Sequence, residues 1–258
     1  MSQSRGPTGG AGPVVVRLPG SVLGPVTRGV VALVVALLLF GSAMALSRGV
    51  AWLFAAVFEV GPPGTTSRLL VSTTALQVLG FGVPSAAFLA AHRQRPRSYL
   101  RLTECTQWTL FYGSAVGLAL MLVAVAATVL FSLLGIAPAE SAVGRARSPA
   151  FYLLLFAVST LVAVPMEELL FRGLIQRRLT DGIGPAVGIA VASLLFASIH
   201  STVSVGAGGE VLTFGMFVGF GLVLGAAYRY TENLFVPIVG HVIFNGVQIL
   251  LRAIEVAF

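Results

Sequence analysis

Three short polar motifs interrupt the most hydrophobic half of the chain, and they contain residue types that can perform acid–base chemistry. They are Glu-Glu-Leu-Leu-Phe-Arg at 167–172, Phe-Ala-Ser-Ile-His at 196–200, and His-Val-Ile-Phe-Asn at 241–245. An ionisable side chain costs about 2.5 to 3.5 kcal/mol at the centre of a membrane helix on insertion scales. Such residues inside apolar segments therefore indicate a functional site.

The composition indicates that these motifs lie in a membrane protein. Of the 258 residues, 57% are apolar and 10% are charged, and the mean hydropathy is +0.95. Soluble domains carry about 25% charged residues. The net charge is +7, all 16 basic residues are arginine, and in a membrane protein this positive charge favours contact with lipid headgroups of the bilayer. We expect no nucleic-acid partner.

The hydropathy pattern predicts an all-α fold, a polytopic bundle of about seven transmembrane helices. A helix needs roughly 20 apolar residues to cross a bilayer. Seven runs meet or approach this length, at 29–46, 69–91, 108–136, 150–179, 185–204, 211–228 and 234–257. A further apolar run at 50–60 is short, and it predicts either an eighth span or a surface helix.

The arginines predict that the amino terminus is cytoplasmic. In a seven-span topology, eleven arginines fall on the inner side and five on the outer side, as the positive-inside rule requires. Residues 1–27, rich in Gly, Pro and Ser, then form a flexible cytosolic tail. We expect a multi-pass protein of the cell membrane, with the first span kept as a helix because further spans follow it.

Glu167 and His200 lie on consecutive predicted spans at equal distances from a turn. The turn is Asp181-Gly182-Ile183-Gly184-Pro185, whose glycines and proline end one helix and begin the next. In an antiparallel hairpin, residues equidistant from the turn lie at the same height. The carboxylate of Glu167 can therefore meet the imidazole of His200 within the membrane.

Helical phase predicts different partners for the two adjacent glutamates. Consecutive residues differ by about 100° around a helix, whereas residues four apart share a face. Glu168 should therefore pair with Arg172, which leaves Glu167 to face His200. Phe196 lies one turn before His200 and is expected to hold the imidazole in place.

His241 and Asn245 are also four residues apart, so they line one face of the last span. An imidazole and an amide on one face can jointly donate hydrogen bonds to a developing oxyanion. Asn in a membrane helix also serves as an interhelical hydrogen-bonding residue. The spacing alone leaves both roles open.

Counting residue types excludes an aspartyl protease and a His-Glu-x-x-His zinc protease. Asp181 is the chain's single aspartate, so no aspartyl dyad exists, and no His-Glu-x-x-His motif is present. Cys105 is the single cysteine. Either Glu167 and His200 act without a metal, in which case no cofactor is needed, or Glu167, His200 and His241 hold zinc, a known catalytic set.

The three motifs together resemble the CPBP family, also called the Abi family, which includes type II CAAX prenyl endopeptidases and bacteriocin-processing or self-immunity proteins. The resemblance covers about 150–257. It implies that Glu167 and His200 activate water for attack on a peptide carbonyl, and that His241 and Asn245 stabilise the oxyanion. It also implies that Glu168 and Arg172 support the site.

These residues and the resemblance together predict an intramembrane endopeptidase. Its expected substrate is a membrane-tethered protein or peptide, and the resemblance implies prenylated substrates among others. The same observations divide the chain into the tail, spans without catalytic motif at 28–149, and a catalytic core at 150–258. Two other functions stay open. One is a binding or immunity protein on the same scaffold without turnover, and the other is a proton-coupled transporter that uses the intramembrane Glu and His as a relay.

Overall fold

The computed structural model describes residues 24–57, 66–137, 140–141, 148–201, 204–205 and 209–258. These residues form an all-α bundle. Its α-helices are α1 (Pro25–Val57), α2 (Thr66–Ala75), α3 (Val83–Ala91), α4 (Pro96–Tyr99), α5 (Gln107–Leu133), α6 (Pro149–Val158), α7 (Val164–Glu168), α8 (Arg177–Ile183), α9 (Pro185–Ser201), α10 (Glu210–Thr231) and α11 (Phe235–Ala257). Three π-helical segments join some of them: π1 (Leu76–Gly82), π2 (Ser159–Ala163) and π3 (Leu169–Gln176). Two residue pairs, β1 (Glu140–Ser141) and β2 (Ser204–Val205), form a short antiparallel ladder.

The prediction of an all-α bundle of about seven spans is confirmed. Among the described residues, six helices are long and apolar enough to cross a membrane. They are Pro25–Phe54, Thr73–Ala91, Gln107–Leu133, Pro149–Ile183, Glu210–Thr231 and Phe235–Ala257. A shorter apolar helix, Pro185–His200, supplies the seventh segment.

The apolar run at 50–60 is not a separate element over the part that the structure describes. Residues 50–57 continue α1 without a break, so α1 is a single helix of 33 residues. The prediction of an eighth span or surface helix is therefore wrong for this part, because the arginine and glycine at 48–49 do not end the helix. Residues 58–60 and most of the predicted tail, 1–23, lie outside the described residues, and the helix already begins at Pro25.

The helix that carries both glutamates is continuous from 149 to 183 but contains two π-helical segments. α7, with Glu167 and Glu168, lies between π2 and π3. π-helical turns are rare and frequently occur at functional sites. The chain then reverses at Gly184, whose φ of +87° suits glycine and few other residues, and α9 begins at Pro185. The hairpin predicted from the sequence is present.

The last helix, α11, packs closely on α5 of the amino-terminal half. Glycines allow the approach: a Cβ on Gly113 would lie 2.5 Å from the Val239 side chain, and one on Gly240 would lie 2.5 Å from the Val116 side chain. Small residues at helix contacts are typical of membrane bundles. This contact fixes the height and rotation of α11, and with them the positions of His241 and Asn245.

Aromatic rings fill the space between the amino-terminal helices and the hairpin. Phe171 of π3 contacts the rings of Phe40, Phe81 and Phe196 at centroid distances of 6.4, 6.1 and 5.4 Å. Phe81, Phe171 and Phe196 are almost completely buried. Their edge-to-face packing is a favourable arrangement for aromatic pairs, and it gives the polar side chains next to them a rigid support.

Candidate active site

Glu167 and His200 face each other across the hairpin of α7 and α9. The Oε2 atom of Glu167 lies 3.8 Å from Nε2 of His200. This meeting is the one that their equal distances from the turn predict. The side chains are 10% and 20% exposed, respectively, so both are largely buried and neither is completely enclosed.

The hydrogen bond at the other ring nitrogen of His200 determines how the imidazole is used. Nδ1 lies 3.0 Å from the backbone oxygen of Phe196, one turn earlier on α9. A carbonyl oxygen only accepts, so Nδ1 carries the hydrogen. In the neutral ring, Nε2 is then the basic nitrogen, and it is the atom that faces Glu167.

Glu168 lies at the centre of a buried polar cluster with Arg172 and His241. Its Oε1 atom is 2.8 Å from Nδ1 of His241, and its Oε2 atom is 3.3 Å from Nε of Arg172. The Glu168 side chain is 0% exposed. The pairing with Arg172 agrees with the four-residue spacing, whereas the partner on α11 could not be derived from one helix. The cluster ties α7, π3 and α11 together.

Phe196 lies between the polar groups of the site. Its ring carries the Arg172 guanidinium 4.3 Å from the centroid, and it lies 4.5 Å from the His200 ring and 6.0 Å from the His241 ring. Within the described residues, the two terminal nitrogens of Arg172 have no hydrogen-bond partner. A cation over an aromatic face is stabilised by the ring quadrupole, so Phe196 supports both the imidazole and the buried cation.

His241 and Asn245 lie on the same helix but bond to different neighbours. His241 Nδ1 contacts Glu168, whereas Asn245 Nδ2 donates to the Ser159 hydroxyl at 3.4 Å. Ser159 belongs to π2 and was not singled out by the sequence motifs. The joint role of His241 and Asn245 as oxyanion donors therefore stays a prediction.

Gln77 is a site residue that sequence reasoning missed. It lies in π1, and its Nε2 atom donates to Glu167 Oε1 at 2.8 Å. The residue is buried. The one available signal was an uncharged amide inside the apolar run at 69–91, and nothing in the spacing connects it with a glutamate 90 positions later.

The structure does not place His241 beside Glu167 and His200, as the predicted zinc site would require. Glu167 pairs with His200, while His241 pairs with Glu168. Over the described ranges, no group of three or more His, Cys, Asp or Glu residues is arranged to hold a metal ion. Zinc binding by Glu167, His200 and His241 stays a prediction that these contacts do not support.

Two cavities lie at one end of the bundle and do not include the Glu167–His200 pair. One, of about 90 Å³, is lined by Arg101, Gln176, Arg177, Thr180, Asp181, Pro185, Tyr228 and Arg229. The other, of about 610 Å³, is lined mainly by residues 103–112 and 230–236.

The fold and site define a multi-pass helical membrane protein with two carboxylate–imidazole pairs inside the bundle. Residues 149–247 match the family model described as Type II CAAX prenyl endopeptidase Rce1-like. The match confirms, for this region, the resemblance inferred from the three motifs, and the family that the model describes is in general a peptidase family. All seven predicted site residues lie within the matched region.

Similarity to individual proteins is more limited. The chain is 35% identical over 88 residues to the uncharacterized protein YpbD of Bacillus subtilis (strain 168). The aligned part covers 34% of this chain and 40% of YpbD, so the chain spans well under half the length of this curated relative. No solved structure matches the chain at a significant level.

Proposed function

We propose that this protein is an intramembrane endopeptidase that hydrolyses a peptide bond with water activated by Glu167 and His200. The observation that carries the proposal is the 3.8 Å separation of Glu167 Oε2 and His200 Nε2 at matching heights of a membrane hairpin. This distance exceeds a direct hydrogen bond. One water molecule can bridge two groups at such a distance, and both groups can accept its protons.

In this reaction, the Glu167–His200 pair first accepts a proton and later gives it back. The water oxygen attacks the carbonyl carbon while a proton passes from the water to the Glu167–His200 pair. The pair returns this proton to the amine nitrogen as the carbon–nitrogen bond breaks. A positioned acid–base pair of this kind contributes about 10²- to 10⁴-fold to a rate.

His241 and Asn245 supply the stabilisation of the tetrahedral oxyanion in this mechanism. Glu168 occupies Nδ1 of His241, so Nε2 is the ring nitrogen that acts on the substrate. Donation from Nε2 requires a ring protonated at both nitrogens, a form in which Nδ1–H donates to the Glu168 carboxylate. Asn245 adds an amide N–H, oriented through Ser159. One oxyanion donor contributes about 10²- to 10³-fold.

The substrate in this proposal is a membrane-tethered protein or peptide, with prenylated carboxy-terminal peptides as the first class to test. Support for this class comes from the family description, which names prenyl endopeptidases. Support for a tethered substrate comes from the position of the site within apolar helices. We place the amino terminus in the cytoplasm of a cell-membrane protein because the arginine distribution favours it.

The test is cleavage of a panel of prenylated and other lipid-tethered peptides by the purified protein in lipid. Wild type is compared with Glu167→Ala and His200→Ala, each with and without a strong chelator. Cleavage that is lost in both variants and survives chelation supports the proposal. Equal inactivity of all three proteins on every substrate contradicts it and favours the binding or immunity function.

A further inference from the structure

Gln77 donates the hydrogen bond that fixes the Glu167 carboxylate, although it comes from outside the matched family region at 149–247. The bond joins Nε2 of Gln77 to Oε1 of Glu167 at 2.8 Å, and both residues are buried. No role is assigned to Gln77 by the family match. The inference below rests on the proposed function, because it concerns the same carboxylate.

The chemistry of the two groups determines which end of the amide faces the carboxylate. An ionised carboxylate only accepts hydrogen bonds, whereas an amide has one donating and one accepting end. The NH₂ end of Gln77 must therefore face Glu167. This leaves Gln77 Oε1 without a hydrogen-bond partner among the described residues, so the contact with Glu167 is the polar contact that orients the amide.

The two carboxylate oxygens of Glu167 have different partners. Oε1 is held by Gln77, and Oε2 is the atom that lies 3.8 Å from His200 Nε2. A glutamate side chain has three rotatable bonds, and without a fixed oxygen it can turn away from the imidazole. Gln77 therefore sets the direction in which the second oxygen points.

Packing around π1 holds Gln77 at the required depth. A Cβ on Gly80 would lie 1.9 Å from the Ser47 hydroxyl oxygen and 3.0 Å from its Cβ, so π1 lies directly against α1. On the other side, Phe81 packs against Phe171 of π3. π1 therefore packs between α1 and the helix that carries Glu167.

We propose that Gln77 is a positioning residue that aims Glu167 at the attacking water. It does not touch substrate, and it acts through the carboxylate. A hydrogen bond to a charged group is typically worth about 1.5 to 3 kcal/mol, and a tenfold rate change corresponds to about 1.4 kcal/mol. Removing the donor therefore lowers kcat about 10- to 100-fold and leaves KM almost unchanged.

The first experiment compares Q77M with a matched control in a peptidase assay. Methionine has the same length as glutamine and no donor. Gln176 is the control, because it is also buried, also lies in a π-helical segment, and donates to the backbone oxygen of Gly225 at 2.9 Å. Q77M loses kcat, whereas Q176M keeps kcat within about threefold. An equal loss in both variants, or a change in KM alone, overturns the proposal.

The conservative variant Q77E separates positioning from packing. A glutamic acid at this position can donate to Glu167 when it is protonated, and repels it when it is ionised. The activity of Q77E relative to wild type therefore rises as the pH falls. A relative activity that does not change with pH contradicts the positioning role.

A second readout does not depend on catalysis and separates failure of this inference from failure of the proposed function. Dicyclohexylcarbodiimide labels protonated carboxyl groups in apolar sites, and mass spectrometry quantifies the labelling of Glu167, with E167Q as the negative control. Because Gln77 stabilises the ionised carboxylate, Q77M is labelled several-fold faster than wild type and Q176M is not. Equal labelling of all three overturns the inference. Faster labelling of Q77M in a protein that cleaves nothing upholds the Gln77–Glu167 coupling and rejects the peptidase.

Discussion

Glu167 and Glu168 are neighbours in the sequence, yet the bundle gives them opposite surroundings. Glu167 accepts a hydrogen bond from Gln77 and faces His200 across a gap of 3.8 Å, and the two side chains are largely buried but keep 10% and 20% exposure. Glu168 is 0% exposed and contacts His241 at 2.8 Å and Arg172 at 3.3 Å. One carboxylate belongs to an open pair and the other to a closed cluster.

The difference shows how one helix can combine reactivity with rigidity. The 3.8 Å gap between the Glu167 carboxylate and the His200 imidazole is long for a direct hydrogen bond and matches the distance that one water molecule can bridge. The contacts of Glu168 leave no comparable gap. A buried ion pair that loses one partner leaves an uncompensated charge, so losing either Glu168 or Arg172 destabilises the protein. We therefore assign turnover to Glu167 and the integrity of the site to Glu168, and the predictions below test that division.

The largest effect is expected from Glu167→Gln, which keeps the shape of the side chain and removes the base. We predict that kcat falls about 10²- to 10⁴-fold, because general-base catalysis is lost, while the thermal unfolding midpoint in lipid hardly changes. Steady-state cleavage and unfolding curves on the same preparation measure both. A variant that unfolds earlier and retains its kcat per folded molecule would assign Glu167 to structure.

Glu168→Leu is expected to lower the stability of the protein, which Glu167→Gln leaves almost unchanged. Glu168→Leu leaves Arg172 buried without its carboxylate, which costs about 3 to 5 kcal/mol of unfolding free energy. The double variant Glu168→Leu with Arg172→Met should regain most of this loss, because neither charge of this ion pair remains buried without its partner. Thermal or denaturant unfolding in detergent gives the values, with Glu167→Leu as the control that loses much less. Equal losses at both positions would remove the distinction between open pair and closed cluster.

Phe196→Leu tests the ring that both regions share. The substitution removes the aromatic face under Arg172 and the ring beside His200. We predict a decrease in kcat of about tenfold, together with a loss of about 1 kcal/mol in stability. Phe151→Leu is the control, since Phe151 is buried to the same degree as Phe196 but packs on Tyr152 in a separate hydrophobic cluster. If the control loses as much kcat, general packing explains the effect.

A smaller effect is expected from Ser159→Ala, which removes the hydroxyl that contacts the Asn245 amide. We predict that kcat falls about three- to tenfold with KM unchanged, since the amide keeps its donors but loses a neutral hydrogen bond worth about 1 kcal/mol. Ser193→Ala serves as control, because that buried serine bonds to the backbone of its own helix. No difference between the two variants would mean that Ser159 does not orient Asn245.

The smallest change in kcat is expected from chelation. In the metal-free mechanism, incubation with a strong chelator leaves kcat within about twofold of the untreated protein. Loss of cleavage that added zinc restores would instead assign Glu167, His200 and His241 to a metal. The assay uses wild type in lipid and compares treated with untreated samples on one substrate.

Sequence reasoning predicted the parts of the site that follow local periodicity. The meeting of Glu167 and His200 follows from their equal distance to the turn, and the pairing of Glu168 with Arg172 follows from four-residue spacing. Both rules need only the geometry of one helix or one hairpin. The order of the three motifs also predicted the family.

Contacts between distant helices could not be predicted in this way. The bond from Gln77 to Glu167 and the bond from His241 to Glu168 join helices whose relative rotation depends on the packing of the whole bundle. The π-helical segments add to the difficulty, because each shifts the phase that 3.6-residue periodicity assumes. The run at 50–60 shows the same limit, since its apolar length did not reveal that α1 continues through 57.

The most direct test of the account is a double-mutant cycle between Glu167 and His200, measured as kcat on one lipid-tethered peptide. If the two residues activate water as a unit, Glu167→Gln, His200→Gln and the double variant all lose about the same factor, within a few-fold, because removing either member already disables the pair. If the double variant instead loses the product of the two single effects, Glu167 and His200 act independently and the central claim is contradicted.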